Sequence, residues 1–242
     1  MRRITLAGLD ISAIDADDAR LRVIYDEVFG TQIYHYREMR LPDRPTILDL
    51  GANVGLYTLW AHRRYRPRAI YCYEASPRTF ASLQDNIARL VDVDVTRVTA
   101  FNRAMAGAAG QTLVLHQSTR MSAISTVVDP ARVGWIAQAA RRRELESHTV
   151  TTSTVTAELE ANAVGTVDIL KIDVEGYFLE VLKGIAPRDY AKIRNIVVEA
   201  DYLPETGIRA DDVEAMLESM GYATHCLDRS QGNNLIFYAW RT

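Results

Sequence analysis

The chain has few cysteines and no long apolar run, and each shortage argues against a class of protein. Its 242 residues include 2 cysteines, Cys72 and Cys226, which lie far apart and lack metal-site spacing. We therefore expect free thiols in a reducing cytoplasm and no zinc site. No apolar run is long enough to span a bilayer, and the first residues show no signal-peptide pattern. The sequence predicts a cytoplasmic protein without a membrane partner.

An excess of positive charge is also lacking. The chain carries 28 basic and 31 acidic residues, a net charge of −3, and nearly all of the basic residues are arginines. Its basic runs, at 63–68 and 141–143, are short and typical of solvated helix faces, so we expect no nucleic-acid partner. The length fits one α/β domain with a full core. A homodimer is compatible with this composition.

The stretch TILDLGANVG, from Thr46 to Gly55, joins an apolar run to an acid and a turn that contains glycine. The run predicts a strand buried on both faces, and the two glycines allow a sharp bend before a helix that begins near Leu56. A strand, loop and helix start of this kind is typical of nucleotide-like ligand sites, although an ordinary α/β turn has the same pattern.

The spacing within this stretch favours one ligand class over another. A dinucleotide fold uses G-x-G-x-x-G, because a pyrophosphate must approach backbone N–H groups closely. Here the pattern is Asp49-x-Gly51-x-x-x-Gly55, with Ala52 and Asn53 where a second close glycine would be. An adenosine ligand without a pyrophosphate fits this loop better, and we predict S-adenosylmethionine rather than NAD.

Glu74 ends the next predicted strand, Ala69–Glu74, about twenty residues beyond the glycine loop, where nucleotide-binding folds place an acid on the ribose. A carboxylate offers two oxygens to a ribose cis-diol. A solvated strand-end glutamate is the alternative, but the register with Gly51 favours the ribose role.

The rest of the chain continues to alternate strands and helices, which predicts an α/β fold. Ser76 and Pro77 predict the start of a helix, and a third strand from Val98 to Phe101 ends at Asn102, which either meets an adenine or forms a turn. Further strands are predicted at 111–116, 167–173, 195–200, 222–227 and 235–240, and a helix at 211–220.

Two segments lie outside this alternation. We predict that residues 1–44 form a helical and aromatic cap segment, with a helix at 19–29, that closes over a ligand or serves as a docking surface. The insertion at 117–148, with a helix expected from Asp129, is the candidate acceptor-binding region, because loops carry specificity on a rigid scaffold.

Asp173 and Glu175 follow the predicted strand 167–173. They are expected at the same sheet edge as Asp49 and Glu74, where ligands bind in open α/β folds. Several carboxylates at one edge suit a cationic ligand and the removal of a proton.

With these pieces placed, the chain resembles the FkbM family of S-adenosylmethionine-dependent methyltransferases. The resemblance rests on ILDLGANVGLYTL at 47–59, on Glu74, on ILKIDVEGYFLEVLKG at 169–184 and on IRNIVVEA at 193–200. It implies a Rossmann-like class I methyltransferase domain at 45–242, with a seven-stranded, mostly parallel sheet, the last strand inserted antiparallel, and helices on both faces. It also implies O-methylation of a hydroxyl on a small molecule, such as a secondary metabolite or a sugar.

The resemblance also assigns roles to residues. It implies that the methionine part of S-adenosylmethionine is held by Asp49, Gly51, Asn53 and Gly55. It further implies that Glu74 binds the ribose, that Asn102 lies near the adenine and that Asp173 lies near the methyl-transfer centre.

Several residues compete for the catalytic role. Asp173 or Glu175 is our candidate base for an alcohol proton, although each has a structural alternative in cofactor binding or helix capping. His35 and His148 are alternative bases. A divalent metal held by Asp173 with Glu199 or Asp201 is a further option that we do not favour. N-methylation of an amine and a non-catalytic binding protein also remain open.

Overall fold

A computed structural model describes residues 1–15, 18–122, 125–127, 144–201, 207–228 and 234–241. Seven strands form its central sheet. They are β3 (Thr46–Leu50), β4 (Ala69–Glu74), β5 (Arg97–Asn102), β10 (Ile169–Ile172), β11 (Asn195–Asp201), β12 (Ala223–Asp228) and β13 (Asn234–Trp240). Their spatial order is β12-β13-β11-β10-β3-β4-β5. Strand β13 runs antiparallel to β11 and β12, whereas the other neighbours are parallel. This topology confirms the predicted Rossmann-like class I methyltransferase sheet with its antiparallel last strand.

Helices cover both faces of this sheet. They are α2 (Leu56–Tyr65), α3 (Pro77–Leu90), α4 (Val155–Ala161), α5 (Phe178–Lys183), α6 (Pro187–Tyr190) and α7 (Ala210–Ser219). Successive side chains of β3 point to opposite faces, so Leu48 packs in the cluster that includes Phe178 of α5, and Ile47 in the cluster that includes Trp60 of α2. A strand buried on both faces reads as a continuous apolar run, and this explains why TILDL was recognisable in the sequence.

The N-terminal residues form an antiparallel hairpin that the sequence analysis does not predict. Strands β1 (Arg2–Leu6) and β2 (Leu9–Ala13) pair in register and bury their apolar face against α2 and α3. The side-chain amide of Asn86 on α3 donates to the carbonyl oxygens of Ser12 and Val54, and its oxygen accepts from the N–H of Ser12. The hairpin is therefore part of the core. The domain boundary at residues 44 and 45 stays a prediction.

The predicted helix at 19–29 is present as α1 (Ala19–Tyr25) followed by a π-helical turn at Asp26–Gly30. None of the helices in the described part of the chain combines the length and the apolar character needed to cross a membrane.

A second, smaller sheet flanks the carboxyl ends of the central strands. It contains β6 (Ala104–Met105), β7 (Thr112–Ser118), β8 (Ser125–Thr126) and β9 (Leu145–Ser153), in the order β6-β9-β7-β8. The hairpin strand predicted at 111–116 is thus present, but its partner β9 was not predicted. The helix predicted from Asp129 lies outside the described residues.

Candidate functional site

The glycine loop after β3 approaches the turn after β10 so closely that no side chain fits between them. Gly51 has a φ of 73°, and a Cβ placed on it would lie 1.7 Å from the carbonyl oxygen of Asp173. The N–H groups of Gly51 and Ala52 both donate to the carbonyl oxygen of Tyr73 at the end of β4, at 2.9 and 3.0 Å. The loop is therefore fixed between the two neighbouring strands, and Gly51 is required for sterics as well as for its backbone angle.

Glu74 connects the glycine loop to the start of α3. One carboxylate oxygen accepts from the N–H of Asn53 at 2.9 Å, and the other from the N–H of Ser76 at 2.8 Å. The side chain is buried, and burial raises the pKa of Glu74 to about 7, against the lowering effect of these two N–H groups. Each oxygen still has a lone pair for a ligand hydroxyl.

This pKa makes ligand binding at Glu74 dependent on pH. A hydroxyl that donates to the carboxylate binds the ionised form, so affinity is complete above about pH 7 and declines as the pH falls below that value. We expect roughly tenfold weaker binding of an adenosyl ligand at pH 6 than at pH 8, because one pH unit below an unliganded pKa costs up to a factor of ten. Calorimetric titration across this range measures the effect. Glu74→Gln should bind weakly at every pH, and a slope unchanged in this variant would show that another group titrates.

Lys171 lies at the centre of a buried group of charges beneath the loop. Its ammonium lies 3.1 Å from Asp49 Oδ1 and 3.2 Å from Asp173 Oδ2, and it donates to the carbonyl oxygen of Gly51 at 2.8 Å. Burial acts to lower the pKa of Lys171, but Asp173 and Asp49 outweigh it and hold the pKa above its usual value. The positive charge of Lys171 therefore stabilises both carboxylates and the loop.

Tyr34 brings the N-terminal segment onto the same carboxylates. Its hydroxyl lies 3.0 Å from Asp173 Oδ2 and 2.5 Å from Glu199 Oε2. Burial and these two carboxylates hold the pKa of Tyr34 well above its usual range, so the hydroxyl keeps its proton at neutral pH. The aromatic segment predicted as a cap or docking surface thus contributes a buried hydroxyl beneath the sheet edge.

An open cavity lies over this edge, with about 610 Å³ of empty space that includes adjoining solvent. Its walls come from the glycine loop, the ends of β4, β5 and β10, and the smaller sheet. The lining residues include Asn53, Glu74, Arg103, Met105, Leu115, Ser122, Ser125, Thr126, Val127, Asp173, Glu175 and Tyr177. Two buried polar atoms among them, Asn53 Oδ1 and Ser122 Oγ, have no hydrogen-bond partner within the described ranges. Because buried polar atoms in native proteins are normally paired, these two atoms indicate a place for a polar ligand.

The structure brings most of the predicted site residues to this cavity. Gly51, Asn53, Glu74, Asp173 and Glu175 all line it. Glu175 has a φ of 49°, and its carbonyl oxygen accepts from the hydroxyl of Thr126 on β8 at 2.9 Å. The candidate catalytic pair is therefore positioned between the central sheet and the insertion.

Two predicted cofactor residues support the loop from below. Asp49 is fully buried and accepts from the hydroxyl of Thr58 at 2.7 Å, besides its contact with Lys171. Gly55 has a φ of 93° at the N-cap of α2, and a Cβ there would lie 2.8 Å from Leu83. Neither residue is among those that line the cavity, so their contribution is to loop shape and charge.

Three predicted residues are not brought to the cavity. Asn102 donates to the carbonyl oxygens of Glu74 and Ala75, which matches the turn-forming alternative. His35 contacts the hydroxyl of Tyr65 through Nδ1 at 2.7 Å, and Tyr65 ends α2, about 15 Å from the glycine loop. His148 lies on β9, with Nε2 3.3 Å from Glu146. Neither histidine is among the described residues that line the cavity.

Sequence reasoning missed Tyr34 and Lys171 as parts of this site. The signal for Lys171 was present, since a lysine inside an apolar strand must be paired when it is buried. Tyr34 carried no such signal, because 139 residues separate it from Asp173. The metal option stays a prediction. The ammonium of Lys171 and the hydroxyl of Tyr34 both contact Asp173 Oδ2, and the side chain of Asp201 lies outside the described residues. The described residues include no group of three metal-ligating side chains.

Comparison with known proteins places this geometry in a family. Residues 49–224 match the family described as "Methyltransferase FkbM domain". The chain is 31% identical over 230 residues to methyltransferase sdnD of Sordaria araneosa, which covers 88% of this chain and 84% of that relative. It is 28% identical over 208 residues to 31-O-demethyl-FK506 methyltransferase FkbM of Streptomyces tacrolimicus, covering 79% of this chain and 78% of that one.

A solved structure of the human methyltransferase 10 domain containing protein superimposes with a TM-score of 0.50 and 11% identity, over 97% of this chain and 88% of that chain. At this identity the likeness concerns the fold alone. The family match over most of the chain and the sequence relative above 30% identity show that the chain belongs to the FkbM family of methyltransferases.

Proposed function

We propose that the chain binds S-adenosylmethionine and transfers its methyl group to a hydroxyl of a small molecule. The observation that carries this proposal is the Glu74 carboxylate, which lines the cavity and is held by the N–H groups of Asn53 and Ser76. It stands one strand away from a glycine loop that lacks the spacing for a pyrophosphate. An adenosine ribose is the ligand that suits this arrangement.

The remaining residues fit the other parts of such a cofactor. Asn53 Oδ1, which has no hydrogen-bond partner among the described residues, would hold the amino acid part. The excess of carboxylates over cations among the described side chains beneath the loop suits a positively charged ligand. When bound, S-adenosylmethionine supplies an electrophilic methyl group on a sulfonium. Asn102 near the adenine stays a prediction, since its amide is engaged with backbone carbonyl oxygens.

The chain's own part in catalysis would be to align the acceptor and to take its proton. Alignment alone supplies on the order of 7 to 11 kcal/mol of barrier reduction, and a positioned base adds about 10²–10⁴-fold. Asp173 is the favoured base, because its side chain remains 24% exposed at the cavity while Lys171 and Tyr34 hold Oδ2. Glu175 is the second candidate, since it also lines the cavity.

The far wall of the cavity supports a hydroxylated acceptor with an apolar body. Ser122, Ser125 and Thr126 offer hydroxyls there, and Leu115 and Val127 offer apolar surface. All of these residues except Leu115 belong to the insertion at 117–148, which is predicted to bind the acceptor. The relative from Streptomyces tacrolimicus is named as a methyltransferase of 31-O-demethyl-FK506.

Removal of the Glu74 carboxylate tests the cofactor assignment. Hydrogen bonds to a charged group contribute about 1.5–3 kcal/mol each, so Glu74→Ala should weaken binding of S-adenosylmethionine and S-adenosylhomocysteine by roughly 10- to 150-fold. Calorimetric titration measures both, with NAD as the negative ligand. Glu180→Ala is the matched control, because that exposed glutamate pairs only with Lys183 among described side chains. Equal binding of NAD, or wild-type affinity in Glu74→Ala, would refute the assignment.

The base is tested by turnover. The acceptor is first found by screening hydroxylated and amine compounds. With that acceptor, Asp173→Asn should lower kcat by about 10²-fold or more. The kcat of Glu175→Gln, measured in the same way, tests the second candidate base. If both variants keep wild-type turnover and cofactor affinity, neither residue is the base. Methylation of the amines alone would replace O-methylation by N-methylation.

A further inference from the structure

The hydroxyl of Tyr34 lies within hydrogen-bonding distance of two carboxylates but carries a single proton. It is 3.0 Å from Asp173 Oδ2 and 2.5 Å from Glu199 Oε2. Each of these oxygen–oxygen contacts needs one hydrogen, and with both carboxylates ionised only one hydrogen is present. The arrangement is therefore one proton short of a complete chain of hydrogen bonds.

The charges around these hydrogen bonds favour the state without the additional proton while a cation is bound. Among the residues that the structure describes, the titratable groups that face Asp173 and Tyr34 are Lys171, Asp49, Tyr57 and Glu74. Among the described side chains that contact one another here, the three carboxyl groups of Asp49, Asp173 and Glu199 outnumber the one ammonium group, that of Lys171. A bound cation over Asp173 would balance part of the excess, and its loss would favour protonation of one carboxylate.

We propose that the Asp173–Tyr34–Glu199 chain takes up the proton that methyl transfer releases, with Tyr34 and Glu199 acting through Asp173. This inference rests on the proposed function. The acceptor oxygen bonds to the methyl carbon, the carbon–sulfur bond breaks with its electron pair left on sulfur, and the acceptor proton passes to Asp173. Asp173 takes the proton on the oxygen that Lys171 and Tyr34 do not contact, and half a turn of the carboxyl group brings this O–H to the Tyr34 oxygen. Tyr34 then donates to Glu199, so both contacts have their hydrogen.

The charges of the cofactor and the carboxylates explain why proton uptake suits methyl transfer. Methyl transfer converts a sulfonium into a neutral thioether, so the cofactor loses one positive charge at the moment when the acceptor releases one proton. If the proton moves into the chain, the carboxylate group becomes less negative by the same amount. The total charge of the buried site is then unchanged across the reaction, which avoids an uncompensated charge in a desolvated place.

This proposal predicts a difference between two ligands that needs no acceptor. Binding of S-adenosylhomocysteine should take up close to one proton more than binding of S-adenosylmethionine at some pH between 6 and 8. Proton uptake is measured by calorimetric titration in buffers of different ionisation enthalpy. Glu74 meets the same ribose in both ligands, so its own titration cancels in the difference.

Two variants and a control separate a proton acceptor from a merely structural role. In Glu199→Gln the amide donates to Tyr34 and completes the chain without a proton, so the difference between ligands should vanish. Tyr34→Phe, which removes the link, should abolish it as well. Tyr57→Phe is the control and should keep the wild-type difference, because the Tyr57 hydroxyl is buried next to Tyr34 and no described residue forms a hydrogen bond with it.

The outcomes distinguish this inference from the proposed function. If wild-type protein binds both ligands with equal proton uptake from pH 6 to 8, or if Glu199→Gln keeps the full difference, the proton chain is refuted while the cofactor assignment stands. If neither ligand binds to wild-type protein, the proposed function fails and this inference fails with it.

Discussion

Gly51→Ala is expected to abolish binding of S-adenosylmethionine and to lower the free energy of unfolding by about 4 kcal/mol or more, at the upper end for single substitutions. A Cβ at this position would lie 1.7 Å from the carbonyl oxygen of Asp173, a backbone atom that no rotamer change can move away. Relief requires that the loop and the turn after β10 separate. That movement would break the contact between Lys171 and the Gly51 carbonyl and displace Asp173 from the cavity. Calorimetric titration and urea unfolding measure the two effects.

Gly110→Ala is the matched control for this substitution. Gly110 also has a φ of 73°, but a Cβ there would meet no atom within 4 Å. Its cost is therefore the left-handed backbone alone, about 1–2 kcal/mol, with cofactor affinity unchanged. If the two variants lose the same stability and Gly51→Ala still binds the cofactor, the close approach between loop and turn does not constrain the site.

The sequence was sufficient for the central sheet and for one side of the cavity, and the reason is local. The strands at 46–50 and 69–74 are apolar on both faces, and their terminal acids and glycines follow within a few residues. Parallel connection then fixes which edge these residues share. Gly51, Asn53, Glu74, Asp173 and Glu175 could therefore be grouped without any contact information. The FkbM family resemblance, carried by the same stretches, is confirmed by the family match.

The elements that were missed depend on partners distant in sequence. Strand β9 pairs with β7 across the insertion, and the first hairpin is held by Asn86, 74 residues beyond Ser12. Their short, mixed patterns do not distinguish a strand from a loop. His35 as a base stays a prediction; its Nδ1 contacts the hydroxyl of Tyr65, and His35 is not among the described residues that line the cavity.

Lys171→Met should lower the free energy of unfolding by about 3–5 kcal/mol, because it leaves Asp49 buried without a compensating charge. Asp49 is fully buried, and besides the ammonium its described side-chain partner is the hydroxyl of Thr58. For a chain of this length the melting temperature should fall by roughly 10 °C or more. Thermal unfolding measures the change. The loop should also loosen, since the ammonium donates to the carbonyl oxygen of Gly51, so cofactor affinity should fall with stability.

Lys183→Met is the control of the same residue type. Lys183 pairs with Glu180 at 2.6 Å, but its side chain is 65% exposed, and an exposed ion pair contributes less than about 1 kcal/mol. Adding Asp49→Asn to Lys171→Met should recover part of the lost stability, because the uncompensated carboxylate is then removed. Two outcomes would contradict this explanation. Lys171→Met could have the melting temperature of the wild-type protein, or Asp49→Asn could destabilise Lys171→Met as much as it destabilises the wild-type protein. In either case the uncompensated charge of Asp49 is not the reason why Lys171 is needed. The role of Lys171 would then be confined to ligand binding, through its hydrogen bond to the carbonyl oxygen of Gly51.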